Sequence, residues 1–145
     1  MTKPALFIVD GDASDLAELA AALTSRYGAT HDIRTAASAA EALTKLVETG
    51  ASLNLMIVSR DLESGNPQVL FDQATELQPG VKRVLSARYV DRSAFELIAA
   101  AMRSRRIDYF LYKPWAPAEI RLYPIIDDLL RQSRAATCEG RPTRP

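Results

Sequence analysis

Five short apolar runs, separated by segments with helical spacing, constrain the fold of this chain more than any other feature. The first and third runs are continuously apolar, as expected of strands that are covered on both faces. The second contains only Ile33 with flanking alanines, so we predict that it lies at or near an edge of a sheet. The five runs are Ala5 to Val9, His31 to Ala36, Leu53 to Val58, Arg83 to Ser86 and Tyr109 to Tyr112.

The segments between the runs carry the signals of helix starts and ends. Asp12 or Ser14 can cap the first helix and Gly28 can end it. Ser38 and Glu41 form a capping box before the second helix, which ends at Gly50. The third helix starts at Pro67 and ends before Pro79, the fourth covers Ala94 to Arg105 after a cap at Asp91 or Ser93, and the fifth follows Pro117 with Pro124 as a kink or a restart. Strand and helix alternate five times, which predicts an α/β protein with three layers, in which helices cover both faces of a five-stranded parallel sheet.

Composition excludes several classes of function. The chain has 145 residues, about the size of one domain, with 18 basic and 18 acidic side chains. A net charge of zero gives no indication of a nucleic-acid or anionic-membrane surface. No apolar run approaches the roughly 20 residues that span a bilayer, and Asp10 and Asp12 interrupt the first run, so we expect a cytoplasmic protein without a membrane partner.

The last residues differ in character from the rest. Residues 134–145 lack periodicity and hold two prolines and three arginines, which predicts a tail, or a linker to a downstream domain, after a domain that covers residues 1–133. Cys138, the only cysteine, lies in this tail. A disulfide framework and a Cys/His metal cluster are therefore not expected, and we interpret Cys138 as an exposed residue without a role.

Polar side chains stand where the strands end. Asp10 and Asp12 follow the first strand, Ser59 the third, and Lys113 the fifth. The carboxyl ends of parallel strands converge on one crevice, where two carboxylates and a lysine would suit a hard cation and a phosphoryl group. The alternative is that both carboxylates are helix caps or solvated residues and that Lys113 is a surface lysine.

The segments LFIVDGD, LMIVS, RVLSA and DYFLYKPW, each at a strand end, together resemble the receiver domain of two-component response regulators. The resemblance covers residues 4 to about 133, and the KPW after an aromatic strand is its most specific part. It implies a flavodoxin-like (βα)5 receiver fold. It also implies an aspartate that takes a phosphoryl group from the phosphohistidine of a kinase, a bridging Mg²⁺, a lysine that contacts the phosphoryl group, and a threonine or serine hydroxyl that acts as the switch.

Residue by residue, the resemblance is incomplete. Asp10 matches the first acid of the family, and Lys113 with Pro114 matches its lysine–proline pair. Gly11 falls on the second acid and Ser59 on the phosphoacceptor aspartate. Ungapped spacing places Ala87 on the switch hydroxyl, with Ser86 one residue away.

A serine at the acceptor position changes the chemistry. Its hydroxyl carries no negative charge, and it needs a general base to attack phosphorus. The only histidine, His31, opens the second strand, at the other end of the sheet. We therefore expect no phosphotransfer and no enzymatic activity. No cofactor is expected, although Asp10, Asp12 and Asp61 could hold Mg²⁺ weakly, since affinity depends on the ligand charge.

The leading hypothesis is a degenerate receiver that regulates by contact with a protein: a histidine kinase, a downstream output domain or a second copy. The contact face is predicted on the fourth helix, fifth strand and fifth helix, where aromatic residues concentrate, although each of these could instead belong to the core. The aromatic residues are Tyr89, Phe95, Tyr109, Tyr112 and Trp115.

Two alternatives stay open. The stretch EIRLYPIIDDLL resembles receiver domains fused to thioredoxin-reductase-like flavoproteins, which implies a regulatory module of a FAD-dependent oxidoreductase, although the chain has neither GxGxxG nor CxxC. The other alternative is an active receiver that is phosphorylated on a non-standard aspartate, Asp12 or Asp61.

Overall fold

The computed structural model describes residues 3–49, 52–62 and 65–139. The elements are β1 (Ala5–Val9), α1 (Ala13–Tyr27), β2 (Asp32–Ala36), α2 (Ala39–Thr49), β3 (Leu53–Ser59), α3 (Pro67–Leu77), β4 (Lys82–Ala87), α4 (Arg92–Arg103), β5 (Tyr109–Tyr112), α5 (Ala118–Arg121) and α6 (Tyr123–Glu139). The strands form one parallel sheet with the order β2-β1-β3-β4-β5. The predicted α/β fold of flavodoxin-like type is confirmed, and β2 lies at an edge as expected.

Two apolar cores lie on opposite faces of the sheet. Side chains alternate along a strand, so that Ile57 of β3 packs in the core beneath α1 and α6 while Val58 packs in the core beneath α2, α3 and α4. Both residues are fully buried. The continuously apolar runs in β1 and β3 therefore follow from helices on both faces.

Short polar side chains set the helix starts. Asp12 caps α1, since its Oδ1 accepts a hydrogen bond from the Asp15 N–H at 3.0 Å. Asp91 caps α4 in the same way, through the Ala94 N–H at 2.8 Å. The structure thus selects the earlier of the two candidate caps in each case, and both helices begin directly after them.

The C-terminal part departs from the predicted single fifth helix. Two helices, α5 and α6, follow Pro117, and Pro124 stands in the first turn of α6, so that it restarts a helix. Proline is accepted there because the N–H groups of the first turn have no partner within the helix. None of the helices in the described ranges is long and apolar enough to cross a membrane.

Helix ends account for the remaining differences. The backbone of α6 is helical to Glu139, six residues into the predicted tail, because Ala and Glu favour a helix even where apolar periodicity is lost. α4 ends at Arg103, two residues earlier than predicted, and Arg105 then has a left-handed φ of 63°. Gly50, residues 140–145 and the side chain of Cys138 lie outside what the structure describes.

Candidate functional site

Ser59 lies at the carboxyl end of the central strand β3 and is only 1% exposed. Ser86 of β4 stands opposite it in register. Alternation places both serines on the face of Ile57 and Val84, beneath α1 and α6, whereas Ala87 points to the other face. Ser86, and not Ala87, therefore shares the sheet face of Ser59.

Lys113 joins three of the elements at this edge. Its Nζ donates to Asp10 Oδ2 at 2.6 Å, to Ser59 Oγ at 3.2 Å and to Asp15 Oδ2 at 3.2 Å. The backbone N–H of Lys113 donates to the Ala87 carbonyl at 2.9 Å, which continues the ladder of β4 and β5. All three ammonium donors are thus satisfied, as burial of a charged group requires.

Asp15, which was not among the residues predicted from the sequence, supplies the second carboxylate that binds Lys113. Its Oδ2 accepts from Lys113, and its Oδ1 accepts from Arg88 Nη2 at 2.7 Å. Burial alone would raise the pKa of Asp15, but the hydrogen bonds from Arg88 and Lys113 outweigh it and hold the pKa below the ordinary value. We name Asp10, Ser59, Lys113, Asp15 and Arg88 the Lys113 cluster.

Two sequence signals could have indicated Asp15 and Arg88. Asp15 stands in the first turn of the helix that leaves β1, three residues after its cap, so it lies near the carboxyl ends of the strands. Arg88 directly follows β4 at the same edge. Neither residue was predicted, because the site was predicted from the polar residues after β1, β3 and β5 and from the hydroxyl groups at the end of β4.

The three carboxylates predicted to hold Mg²⁺ are not brought together. Asp10 binds the Lys113 ammonium, and its other oxygen accepts from the Asp12 N–H at 2.9 Å. The Asp12 carboxylate is used in capping α1. Asp61 is exposed and approaches Ser59 only through its backbone N–H, which donates to Ser59 Oγ at 3.2 Å.

The residues present do not fit the Mg²⁺ site that the family resemblance implies. Ser59 supplies no charge, Gly11 supplies no ligand, and an ammonium stands against Asp10. Within residues 3–49, 52–62 and 65–139, no three His, Cys, Asp or Glu side chains are grouped as metal ligands. Lack of space does not explain why position 11 has no carboxylate. A Cβ on Gly11 would meet only the Ala37 carbonyl oxygen, at 3.9 Å.

The aromatic residues predicted to form a contact face divide into two groups. Tyr89, Phe95 and Tyr112 are exposed, and Tyr89 is 81% exposed. The Tyr112 ring packs edge-on against the Phe110 ring, with 4.6 Å between the ring centroids. Tyr109 and Trp115 are half-buried and pack against the core beneath α1 and α6. Tyr109 belongs partly to the core because it shares the face of β5 that carries the buried Leu111, whereas Tyr112 lies on the opposite face.

Neither a protein-family model nor a curated protein sequence matches this chain. Solved structures do match it. The signal receiver domain of an HD domain-containing protein from Pseudomonas fluorescens Pf-5 is similar with a TM-score of 0.74 and 23% identity, over 92% of this chain and 98% of that chain. A response regulator receiver domain protein from Clostridium thermocellum gives a TM-score of 0.75 and 15% identity, again over 92% and 98%.

An adenylate cyclase from Rhodopirellula baltica is also similar, with a TM-score of 0.75 and 17% identity over 94% of each chain. Identities this low establish a shared fold and carry no activity from one protein to another. The chain thus has the fold of response-regulator receiver domains, with a serine at the strand end where the family resemblance places the phosphoacceptor.

Proposed function

From a receiver fold with Ser59 at the acceptor position, we propose that this chain is an atypical receiver domain, which regulates a protein partner by contact and accepts no phosphoryl group. The observation that carries the proposal is the Lys113 ammonium, bound at once by Asp10, Asp15 and Ser59. A fixed internal cation thereby balances the carboxylates that would otherwise attract a metal.

The surroundings of Ser59 argue against a nucleophilic role. Both described contacts of its Oγ are with donors, the Lys113 ammonium and the Asp61 N–H. Neither group can remove the hydroxyl proton, so the oxygen is not activated for attack on phosphorus. A hydroxyl in this position serves instead as an acceptor that orients the ammonium.

The family resemblance places the switch hydroxyl at the end of β4, and hydrogen bonds hold the segment that follows at two points. Arg88 binds Asp15 of α1 at 2.7 Å, and Arg60 Nη1 donates to the Tyr89 carbonyl at 3.3 Å. With its charges balanced internally, the cluster favours one conformation. The domain would therefore present a constant surface to its partner.

The proposed partner is a histidine kinase, an output domain in the same protein or a second copy of the chain. The Pseudomonas fluorescens neighbour is an example of a signal receiver domain in a protein that contains another domain, an HD domain. The exposed aromatic side chains of Tyr89, Phe95 and Tyr112 are the candidate contact residues. Exposed aromatic residues supply large contact areas at low entropic cost.

Intact-mass measurement after incubation with acetyl phosphate and Mg²⁺ tests the proposal. The wild-type chain should gain no phosphoryl group, because Ser59 is neutral and no base activates it. A Gly11→Asp/Ser59→Asp double variant restores both missing carboxylates and has space at position 11. It should gain one phosphoryl group and thus serves as the positive control.

A stoichiometric phosphoryl gain on the wild-type chain would contradict the proposal. Asp12→Ala and Asp61→Ala variants would then locate a non-standard acceptor, because only the variant that lacks the true acceptor would lose the gain. Fusion to a thioredoxin-reductase-like flavoprotein stays a prediction, which the coding sequence downstream of Pro145 tests. No described contact favours a flavin site.

A further inference from the structure

A groove between α3 and α4 offers an apolar interior away from the Lys113 cluster. Its volume is about 190 Å³. α3 packs against α2 on its other side, so the side that faces α4 is left open. We name this feature the α3–α4 groove; its wall includes Arg60, Phe71, Leu85, Leu97, Ile98 and Ile107.

One stripe of α4 forms a wall of the groove. Ala94, Leu97, Ile98 and Ala101 all line it, and their spacing of three and four residues places them on one helix face. Ala94 and Ile98 are buried, whereas Leu97 is 71% exposed. A single exposed leucine is ordinary on a protein surface, but this one continues a buried stripe at the rim of an apolar groove, which is typical of an interaction site.

A single guanidinium carries the charge of the groove lining. Arg60 is the one charged residue among the described residues that line it. The neutral backbone carbonyl of Arg106 accepts a hydrogen bond from the lining residue Gln68 at 3.5 Å. Asp72 also binds Gln68, at 2.9 Å, but is not part of the lining. An apolar groove with a guanidinium at its rim is complementary to an apolar side chain that adjoins a carboxylate.

We infer that the α3–α4 groove docks a short acidic segment of a partner protein, which inserts one large apolar side chain and places a carboxylate against Arg60. The size of the groove favours a protein segment over a free small molecule, because small-molecule sites usually enclose about 300–1,000 Å³. An anchor side chain in a pocket is the usual centre of a protein interface. This docking does not depend on the chemistry of Ser59. The groove can therefore fail to bind a peptide while the chain accepts no phosphoryl group, and the groove can bind a peptide even if the chain proves to be phosphorylated.

Selection from a phage-displayed library of random peptides against the full chain tests the inference, followed by fluorescence titration of the enriched peptides made synthetically. Two variants alter the groove: Leu97→Glu adds a repelling carboxylate at the rim, and Arg60→Glu reverses the charge. Two matched controls lie on α5: Ile120→Glu, at a position 73% exposed, and Arg121→Glu, also at an exposed position. All four side chains are exposed, and urea unfolding of each variant confirms that it folds.

Enriched peptides should carry acidic residues beside a large apolar residue, and each groove variant should weaken their binding about ten-fold or more. Both α5 variants should bind as the wild-type chain does. The inference is overturned if no peptide is enriched, if the peptides are basic, or if all four variants bind equally. Binding of a single-stranded oligonucleotide that Arg60→Glu abolishes and Leu97→Glu leaves unchanged would also overturn it, in favour of a nucleic-acid surface.

Discussion

Two charged networks fasten α1 to the rest of the molecule, and they differ chiefly in burial. At the carboxyl edge of the sheet, the Lys113 and Asp10 side chains are 7% and 5% exposed. At the amino edge, Arg26 at the end of α1 pairs with Asp127 of α6, and these side chains are 45% and 29% exposed. The same type of ion pair thus occurs in two different environments.

The network at the amino edge is built to tolerate water. Arg26 Nε donates to Asp127 Oδ1 at 3.3 Å, and the Tyr27 hydroxyl donates to the same oxygen at 2.7 Å. The Arg26 guanidinium also lies over the Tyr123 ring, 4.9 Å from its centroid, in a cation–π contact. Loss of Arg26 would leave the Asp127 carboxylate, which is 29% exposed, in contact with water, whereas loss of Lys113 at the carboxyl edge would leave a buried charge without compensation.

Lys113→Met should therefore cause the largest loss of stability. The substitution keeps the apolar stem but removes the ammonium, which leaves the buried Asp10 carboxylate facing a neutral serine. We expect a fall of about 3–5 kcal/mol in the free energy of unfolding, measured by urea titration. Adding Asp10→Asn to this variant removes the unpaired charge and should recover part of the loss. If Lys113→Met lowered the free energy of unfolding no more than the loss of an exposed ion pair does, the Lys113 cluster would be hydrated.

Tyr27→Phe tests the other network and should have a smaller effect. The ring of Tyr27 is buried and stays in place, and only its hydrogen bonds to Asp127 and to the Tyr123 carbonyl are lost. Removal of one such hydroxyl costs about 0.5–1.5 kcal/mol, again measured by urea titration. If this loss equalled that of Lys113→Met, the contrast in burial between the two networks would not govern their strength.

Changes of pH and of salt concentration should have the smallest effects, and the change of pH should affect both networks in the same direction. Hydrogen bonds from Arg26 outweigh partial burial and lower the pKa of Asp127, as those from Arg88 and Lys113 lower the pKa of Asp15. Each carboxylate therefore stabilises the fold above its unfolded pKa of about 3.9, and this contribution is lost as the pH falls through the lower folded pKa. The destabilisation caused by Asp15→Asn or Asp127→Asn should accordingly shrink between neutral pH and about pH 3.

Salt provides the finer distinction. About 1 M sodium chloride should reduce the effect of Asp127→Asn more than that of Asp15→Asn, because ions screen exposed pairs more than buried ones. Urea titrations of both variants at low and high salt measure the difference. Equal screening of the two carboxylates would indicate that the Lys113 cluster is open to solvent.

The candidate site was only partly predictable. The positions of Asp10, Ser59 and Lys113 at strand ends were enough to predict that they converge, and Lys113 does contact both of the others. The partner choice of Asp12 was not predictable in the same way. Its carboxylate could cap a helix or bind a cation, and the cap prevails because the Asp15 N–H is three residues away and already aligned.

Aromatic residues illustrate the limit of sequence patterns in another way. Tyr109 and Tyr112 stand on the same short strand, yet the first packs partly in the core and the second is exposed. A four-residue strand has too few positions for alternation to indicate which face is covered, and β5 lies at the edge of the sheet, where cover depends on α4 and α6.

By itself the sequence determined the alternation of strands and helices, a pair of candidate caps for α1 and for α4, and the placement of a serine at the end of the third strand. These features follow from local spacing, because burial periodicity and capping act over a few residues. Only the tertiary structure decided that Lys113 binds Asp15 across 98 positions and that Arg88 binds it across 73. The restart of the last helix and the open α3–α4 groove were decided at the same level. A buried ammonium selects its partners by distance and desolvation, and those distances exist only once α1 lies against the sheet.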